Sequence, residues 1–263
     1  MRALLIVLLA ATTAAAQAPA AGADAPGMVP GRPGAIEAAG IVPAGAVQAE
    51  LGYGLAHDRS GDVRSLTQTF PGAVVRIGLS PRLELRLAGV GLVHQRVRSR
   101  SGSGGGGALG DAAVGVKWLI ADGRRHAVDA GLVATLSLPS GTRPASSGGL
   151  DPALTAAVAR RLPLGVDLSA MARAGAVTRD GARHADYGGG AAVSRALGGG
   201  PWSAYGEVVV QGGPGAGPAT SVGAGVAGRS RRWLQVDAGL GRGVSGAAPD
   251  WTVSVGVVVA RSR

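Results

Sequence analysis

Ten ionisable residues sit on alternate positions within aliphatic runs: Glu50, Arg76, Glu84, Arg86, Lys117, Asp129, Asp167, Arg173, Glu207 and Asp237. Six are acids and four are bases. A period of two places them on one face of extended segments, opposite Val, Leu and Ala. Charges gathered on one interior face do one of two jobs. They brace a wall through salt bridges, since buried charge is tolerated only when paired or wet. Or they line a constriction that selects solutes, as charged rings do in pores. The sequence leaves both open.

Other chemistry-bearing residues carry less. The four histidines, His57, His94, His126 and His184, lack the H-x-x-x-H spacing of a metal site. His57-Asp58 and His184-Ala185-Asp186 pair a base with an acid, the components that activate water or a serine in a hydrolase. No G-x-S-x-G elbow accompanies them. Gly223 to Gly228 and Gly241 to Gly246 have dinucleotide-fingerprint spacing, but no helical period follows either, so they read as strand glycines. Ser101 to Gly107 lacks the Gly-Lys-Ser/Thr ending of a phosphate loop and reads as a flexible extracellular loop. With no cysteine, the chain has neither disulfides nor thiolate metal sites. No catalytic residue, metal or cofactor is assigned.

The elements that must position the ten charges are strands. Trp251, Val253, Val255, Val257 and Val259 share one face, against Thr252, Ser254 and Gly256. Val47 to Leu55, Val75 to Leu79, Leu83 to Ala88, Ala113 to Ile120 and Val128 to Leu138 alternate in the same way. Further segments near 152–162, 166–178, 186–197, 201–211, 219–229 and 232–243 bring the count to about twelve. Connections at 80–82, 121–125, 162–165, 198–201 and 228–232 read as short turns. Those at 58–67, 96–108, 139–151, 179–185, 212–218 and 244–250 read as long loops. Short and long ends in alternation are the rule for outer-membrane barrels, and both chain ends then lie on the periplasmic side. An all-β fold follows: a transmembrane antiparallel β-barrel of about 12 strands. Apolar side chains meet lipid and polar ones face the lumen, because a barrel this wide is not filled by Ala and Val.

The N-terminus supports export. Arg2, the apolar run Ala3 to Ala10 and the small residues Ala14-Ala15-Ala16 describe a secretory signal cleaved near Ala16. Residues 17–45, rich in Ala, Pro and Gly, read as a flexible periplasmic leader, and 46–263 as the barrel. The formal net charge of +10 suggests an anionic partner. Export excludes nucleic acid, so the excess arginine points to outer-membrane lipids and lipopolysaccharide. Arg96, Arg98 and Arg100 read either as a solvated run or as contacts to lipopolysaccharide phosphates.

Three patches resemble a known family. They are Gly110-Asp111-Ala112-Ala113-Val114-Gly115-Val116-Lys117-Trp118, Leu136-Ser137-Leu138-Pro139-Ser140-Gly141, and the closing hairpin Gln235 to Gly239 with Ala248 to Trp251. The resemblance is to the outer-membrane barrel family known as "MetA-pathway of phenol degradation", whose members are regarded as transporters. It implies a channel for small compounds, hydrophobic or aromatic ones among them. The expected partners are a small-molecule solute, outer-membrane lipids and lipopolysaccharide, and the barrel-insertion machinery. Two alternatives stay open: a membrane-embedded hydrolase using rim His and Asp, and a structural barrel without an open pore.

Overall fold

The computed structural model describes residues 28–261. The proposed signal segment therefore lies outside the described residues. Thirteen strands run in order: β1 (Val47–Ser60), β2 (Val63–Ser80), β3 (Leu83–Ser99), β4 (Gly102–Leu109), β5 (Ala112–Ala121), β6 (Asp129–Leu138), β7 (Asp151–Arg161), β8 (Val166–Arg179), β9 (Ala182–Ala196), β10 (Trp202–Gly213), β11 (Ala216–Arg231), β12 (Leu234–Gly243) and β13 (Trp251–Arg261). All pairings are antiparallel and, except for β4 with β5, chain neighbours are joined; β1 closes the ring against β13 from Val47↔Arg261 to His57↔Trp251. Closure leaves no unpaired edge to meet hydrocarbon.

The ring has twelve staves, because β4 and β5 share one. The outer part of β3 pairs with β4 (Leu92↔Leu109 to Ser99↔Gly102) and its inner part with β5 (Leu83↔Trp118 to Gly89↔Ala112). The break between β4 and β5 falls at Gly110-Asp111. Asp111 pins the 139–150 connection there, accepting from the backbone N–H of Gly141 and of Ser147 at 2.9 Å each. Ser140 Oγ accepts from Ala112 N at 2.9 Å, and Thr142 Oγ1 from Leu109 N at 2.8 Å. The Gly-Asp patch and the Leu-Pro-Ser-Gly patch of the sequence are thus two halves of one clasp.

The faces are inside out relative to a soluble protein. Trp118 is 52% exposed and Leu240 67%, whereas Lys117, Glu84 and Gln48 are fully buried. Trp118, Trp202 and Trp233 stand exposed near the end that carries the chain termini, and Trp251 and Tyr187 near the other. Ten or eleven tilted residues cross a bilayer, the length of β12 and β13. β2 and β3, with 18 and 17 residues, extend well past it.

Two expectations need correcting. The glycine-rich stretch 102–109 is a strand, since glycine neither blocks the ladder nor needs a side chain above the bilayer. Likewise 58–67, 96–108, 179–185 and 212–218 are mostly extended strand ending in tight turns, such as Gly61 (φ +61°) and Gly181 (φ +78°). The polar, small residues there hide the two-residue period without preventing pairing.

The larger correction concerns the leader. Residues 28–45 have no regular structure, yet they do not lie free beneath the barrel. They fold into its lumen: Ile36, Ala39 and Val42 are fully buried, and Met28 packs on Val258 and Ala260. The remainder of the expected leader, 17–27, lies outside the described residues.

Candidate functional site

The site is built from the inner wall and this plug. A chain segment without secondary structure must satisfy its backbone groups elsewhere, and here polar side chains of the strands do so. Gln48 exchanges two bonds with Val29, its Oε1 accepting from Val29 N and its Nε2 donating to Val29 O, both at 2.9 Å. Glu50 accepts from Gly31 N at 2.9 Å, Glu207 from Ala35 N at 2.8 Å and Glu84 from Val42 N at 2.7 Å. Gln235 Nε2 donates to Arg32 O at 3.0 Å.

A run of alternating charges crosses this floor. Glu50 pairs with Arg76 at 3.1 Å, and Arg76 with Glu84 through two bonds of 2.8 and 2.9 Å. Glu84 accepts from Arg86 Nε at 2.7 Å. Arg86 grips Glu37 of the plug with a bidentate fork at 2.7 and 2.8 Å. Lys117 closes the run on Glu37 at 2.9 Å and also donates to Ala38 O. The strands supply three bases and two acids, and Glu37 is the third acid. A buried network of this kind is stable only when every member is matched. Burial pushes the Glu37 carboxyl up, but Arg86 and Lys117 outweigh it and hold the group well below the usual carboxylate range. A second anchor lies across the lumen, where Arg32 of the plug reaches Asp237 at 3.2 Å.

Backbone approach reinforces the charges. Gly131 faces the plug so closely that a Cβ there would lie 2.6 Å from Ala39 O, and one on Gly78 would overlap Pro43 O. Only glycine leaves room for the plug at these two points. Ile36 fills an apolar niche with Ala192, Val209 and Met171.

Seven of the ten sequence-derived residues meet at this floor: Glu50, Arg76, Glu84, Arg86, Lys117, Glu207 and Asp237. Arg173 lies higher in the lumen and pairs with Asp186 at 3.1 Å. Asp129 and Asp167 do not join them. Asp129 accepts from Gly123 N at 2.7 Å at the rim, and Asp167 binds Arg161 there at 2.9 Å. Parity fixed their face but not their height, and both begin strands at the barrel mouth. The residues that sequence reasoning missed, Arg32 and Glu37, are the only charges in 28–45. No signal in the sequence pointed to them, because the segment has no two-residue period and the seven wall charges at the floor, four acids and three bases, show no shortage of carboxylate.

Above the floor the lumen opens into a cavity of about 320 Å³ on the side away from the termini. Glu37 and Ala35 form its base. Its walls are largely small or apolar, including Ala88, Ala113, Val133 and Met171, with Thr135, Thr155 and the Arg173–Asp186 pair among them. The rim histidines are not gathered there. His57 points outward, stacked on Trp251 with centroids 5.2 Å apart and 3.7 Å from Asp250. His184 lies on β9, five staves away, and its neighbour Asp186 is engaged by Arg173. Among the described residues no group of three or more His, Asp or Glu is placed to hold a metal.

Comparison with known proteins agrees with this architecture. A family model described as "Putative MetA-pathway of phenol degradation" matches residues 30–261. An outer membrane channel from Pseudomonas putida F1 superimposes with a TM-score of 0.64 at 16% identity, over 88% of this chain and 99% of that one. The β domain of the Bordetella autotransporter BrkA gives 0.54 at 14% identity, over 82% and 99%. The KdgM porin gives 0.52 at 7% identity, over 81% and 98%. Among curated proteins none matches by sequence.

Proposed function

Because the chain belongs to the family described as "Putative MetA-pathway of phenol degradation", we propose that it is an outer-membrane passage for small hydrophobic or aromatic compounds, opened when the plug yields. The observation that carries this reading is the cavity. It is walled mainly by Ala, Val, Gly and Thr, large enough for a one-ring compound, and closed below by a segment held through matched ion pairs. A general aqueous pore has no use for such a floor. Apolar walls favour solutes that lose little on leaving water.

The wall itself offers such solutes a second way in. At Gly89–Gly91 strand β3 exchanges β5 for β4, and Pro71 opposite has no N–H to give the ladder. Ala73 and Val114, whose strand parity is outward, border the cavity at this seam. A hydrophobic compound dissolved in the outer leaflet meets the lumen here.

The test is uptake into proteoliposomes of a neutral one-ring aromatic and of a charged hydrophilic compound of equal size. Preference for the aromatic supports the reading. Equal entry of both, or entry of neither with the plug deleted, would count against it.

A further inference from the structure

Most charges at the floor are matched, Glu207 and Arg229 excepted, but one patch of the outer wall holds unmatched cations side by side. Arg59 on β1 stands directly opposite Arg64 on β2, and Arg64 directly opposite Arg98 on β3. Opposite residues in an antiparallel pair share a face, with Cβ atoms about 5 Å apart, and like charges there repel. The row nearer the membrane runs Arg242, Trp251, His57, Leu66, Arg96. All five arginines are exposed. Parity puts Arg59 and Arg242 on the outward face, and pairing with Arg59 and His57 past the register shift at Gly52–Gly54 puts Arg64, Arg96 and Arg98 there too, continuous with exposed Val47, Leu51, Leu240 and Trp251.

Among the described residues none of the five forms a salt bridge. Arg59 Nε donates only to Gly61 O, at 3.3 Å. Of the nearby acids, Asp58 alternates to the opposite face, Asp62 lies in the β1–β2 turn and Asp250 sits by His57. Trp251 fixes the level, since interfacial tryptophans mark the headgroup region. Directly below the arginines, Phe70, Leu92 and Leu109 stand exposed in register on β2, β3 and β4.

We propose that this patch binds the phosphates of the outer leaflet's phosphorylated glycolipid, lipopolysaccharide. Guanidinium forks take phosphate oxygens bidentately. A phosphate seated across Arg59, Arg64 and Arg98 turns a repelling row into a bridged one. The acyl chains then run down the wall over Phe70, Leu92 and Leu109. The site rests on the orientation with both chain ends periplasmic, and is independent of what passes through the lumen.

The test is native mass spectrometry of the detergent-solubilised barrel with diphosphorylated lipid A, dephosphorylated lipid A and inorganic phosphate. Wild type is expected to hold diphosphorylated lipid A about tenfold or more tighter than an Arg59→Gln/Arg64→Gln/Arg98→Gln variant does. It should hold the dephosphorylated form no better than that variant holds either lipid. Equal affinity of wild type and variant overturns the proposal, as does equal affinity for both lipids. Displacement of the lipid by inorganic phosphate at the same concentration also overturns it. Heat-dependent gel migration checks that the variant folds. Should it not, Arg64→Gln alone, the centre of the row, is expected to weaken binding about threefold or more.

Discussion

Replacing Glu37 with Gln strikes the larger of the two points where plug and wall exchange formal charge, the other being Arg32–Asp237. The substitution keeps shape and one acceptor oxygen but removes the carboxylate that Arg86 grips at 2.7 and 2.8 Å and Lys117 at 2.9 Å. Glu37 is only 3% exposed and Lys117 is fully buried. The variant therefore leaves buried Lys117 without a carboxylate and Arg86 with Glu84 alone. Breaking a buried pair on one side costs about 3–5 kcal/mol, and Gln's remaining oxygen argues for the low end. At about 1.4 kcal/mol per factor of ten, local opening of the plug should become roughly a hundredfold more frequent. The chain has no cysteine, so Ala38→Cys, at a position 1% exposed, provides a single thiol that reacts with a maleimide only when the plug lifts. The Ala38→Cys/Glu37→Gln protein should label about a hundredfold faster than Ala38→Cys alone. Rates within a factor of about two or three would show that the ion pairs do not hold the plug.

The same carboxylate sets a pH dependence. Its value in the seated plug lies below the ordinary 4.5, so the anchoring is complete above about pH 4.5 and drains as pH falls toward the seated value. Labelling of Ala38→Cys relative to a free thiol should stay flat from neutral pH down to about 5 and rise below about 4.5, with Glu37→Gln flattening the curve. Gly131→Val should act through shape alone. A side chain there meets Ala39 O, so labelling should increase while thermal stability of the barrel in detergent changes little.

The strands were legible because a barrel wall repeats one rule on every stave. Val253, Val255 and Val257 face lipid, Glu84 and Lys117 face inward, and each strand announces itself without reference to any other. Where small residues replace that contrast, as in Gly102 to Leu109, pairing persists but the signal vanishes. The plug has no period at all. Its shape is set by the wall that receives it: Gly131 and Gly78 for room, Gln48 and Glu84 for its backbone, Arg86 and Lys117 for its one carboxylate. Those partners are distant in sequence, with Glu37 and Lys117 separated by 80 residues. The motifs behind the family resemblance divide between the two tasks. Gly110-Asp111 and Ser140-Gly141 clasp a connection to the stave break, while Lys117, Gln235 and Asp237 hold the plug.

The central claim is that solute crosses this barrel only when residues 28–45 move. Ile36 and Val209 share one buried cluster, so an Ile36→Cys/Val209→Cys protein offers a reversible lock between plug and wall. Flux of a neutral aromatic compound into proteoliposomes should stop when the pair is oxidised and return on reduction. Equal flux in the two redox states, with the disulfide verified by mass, would contradict the account.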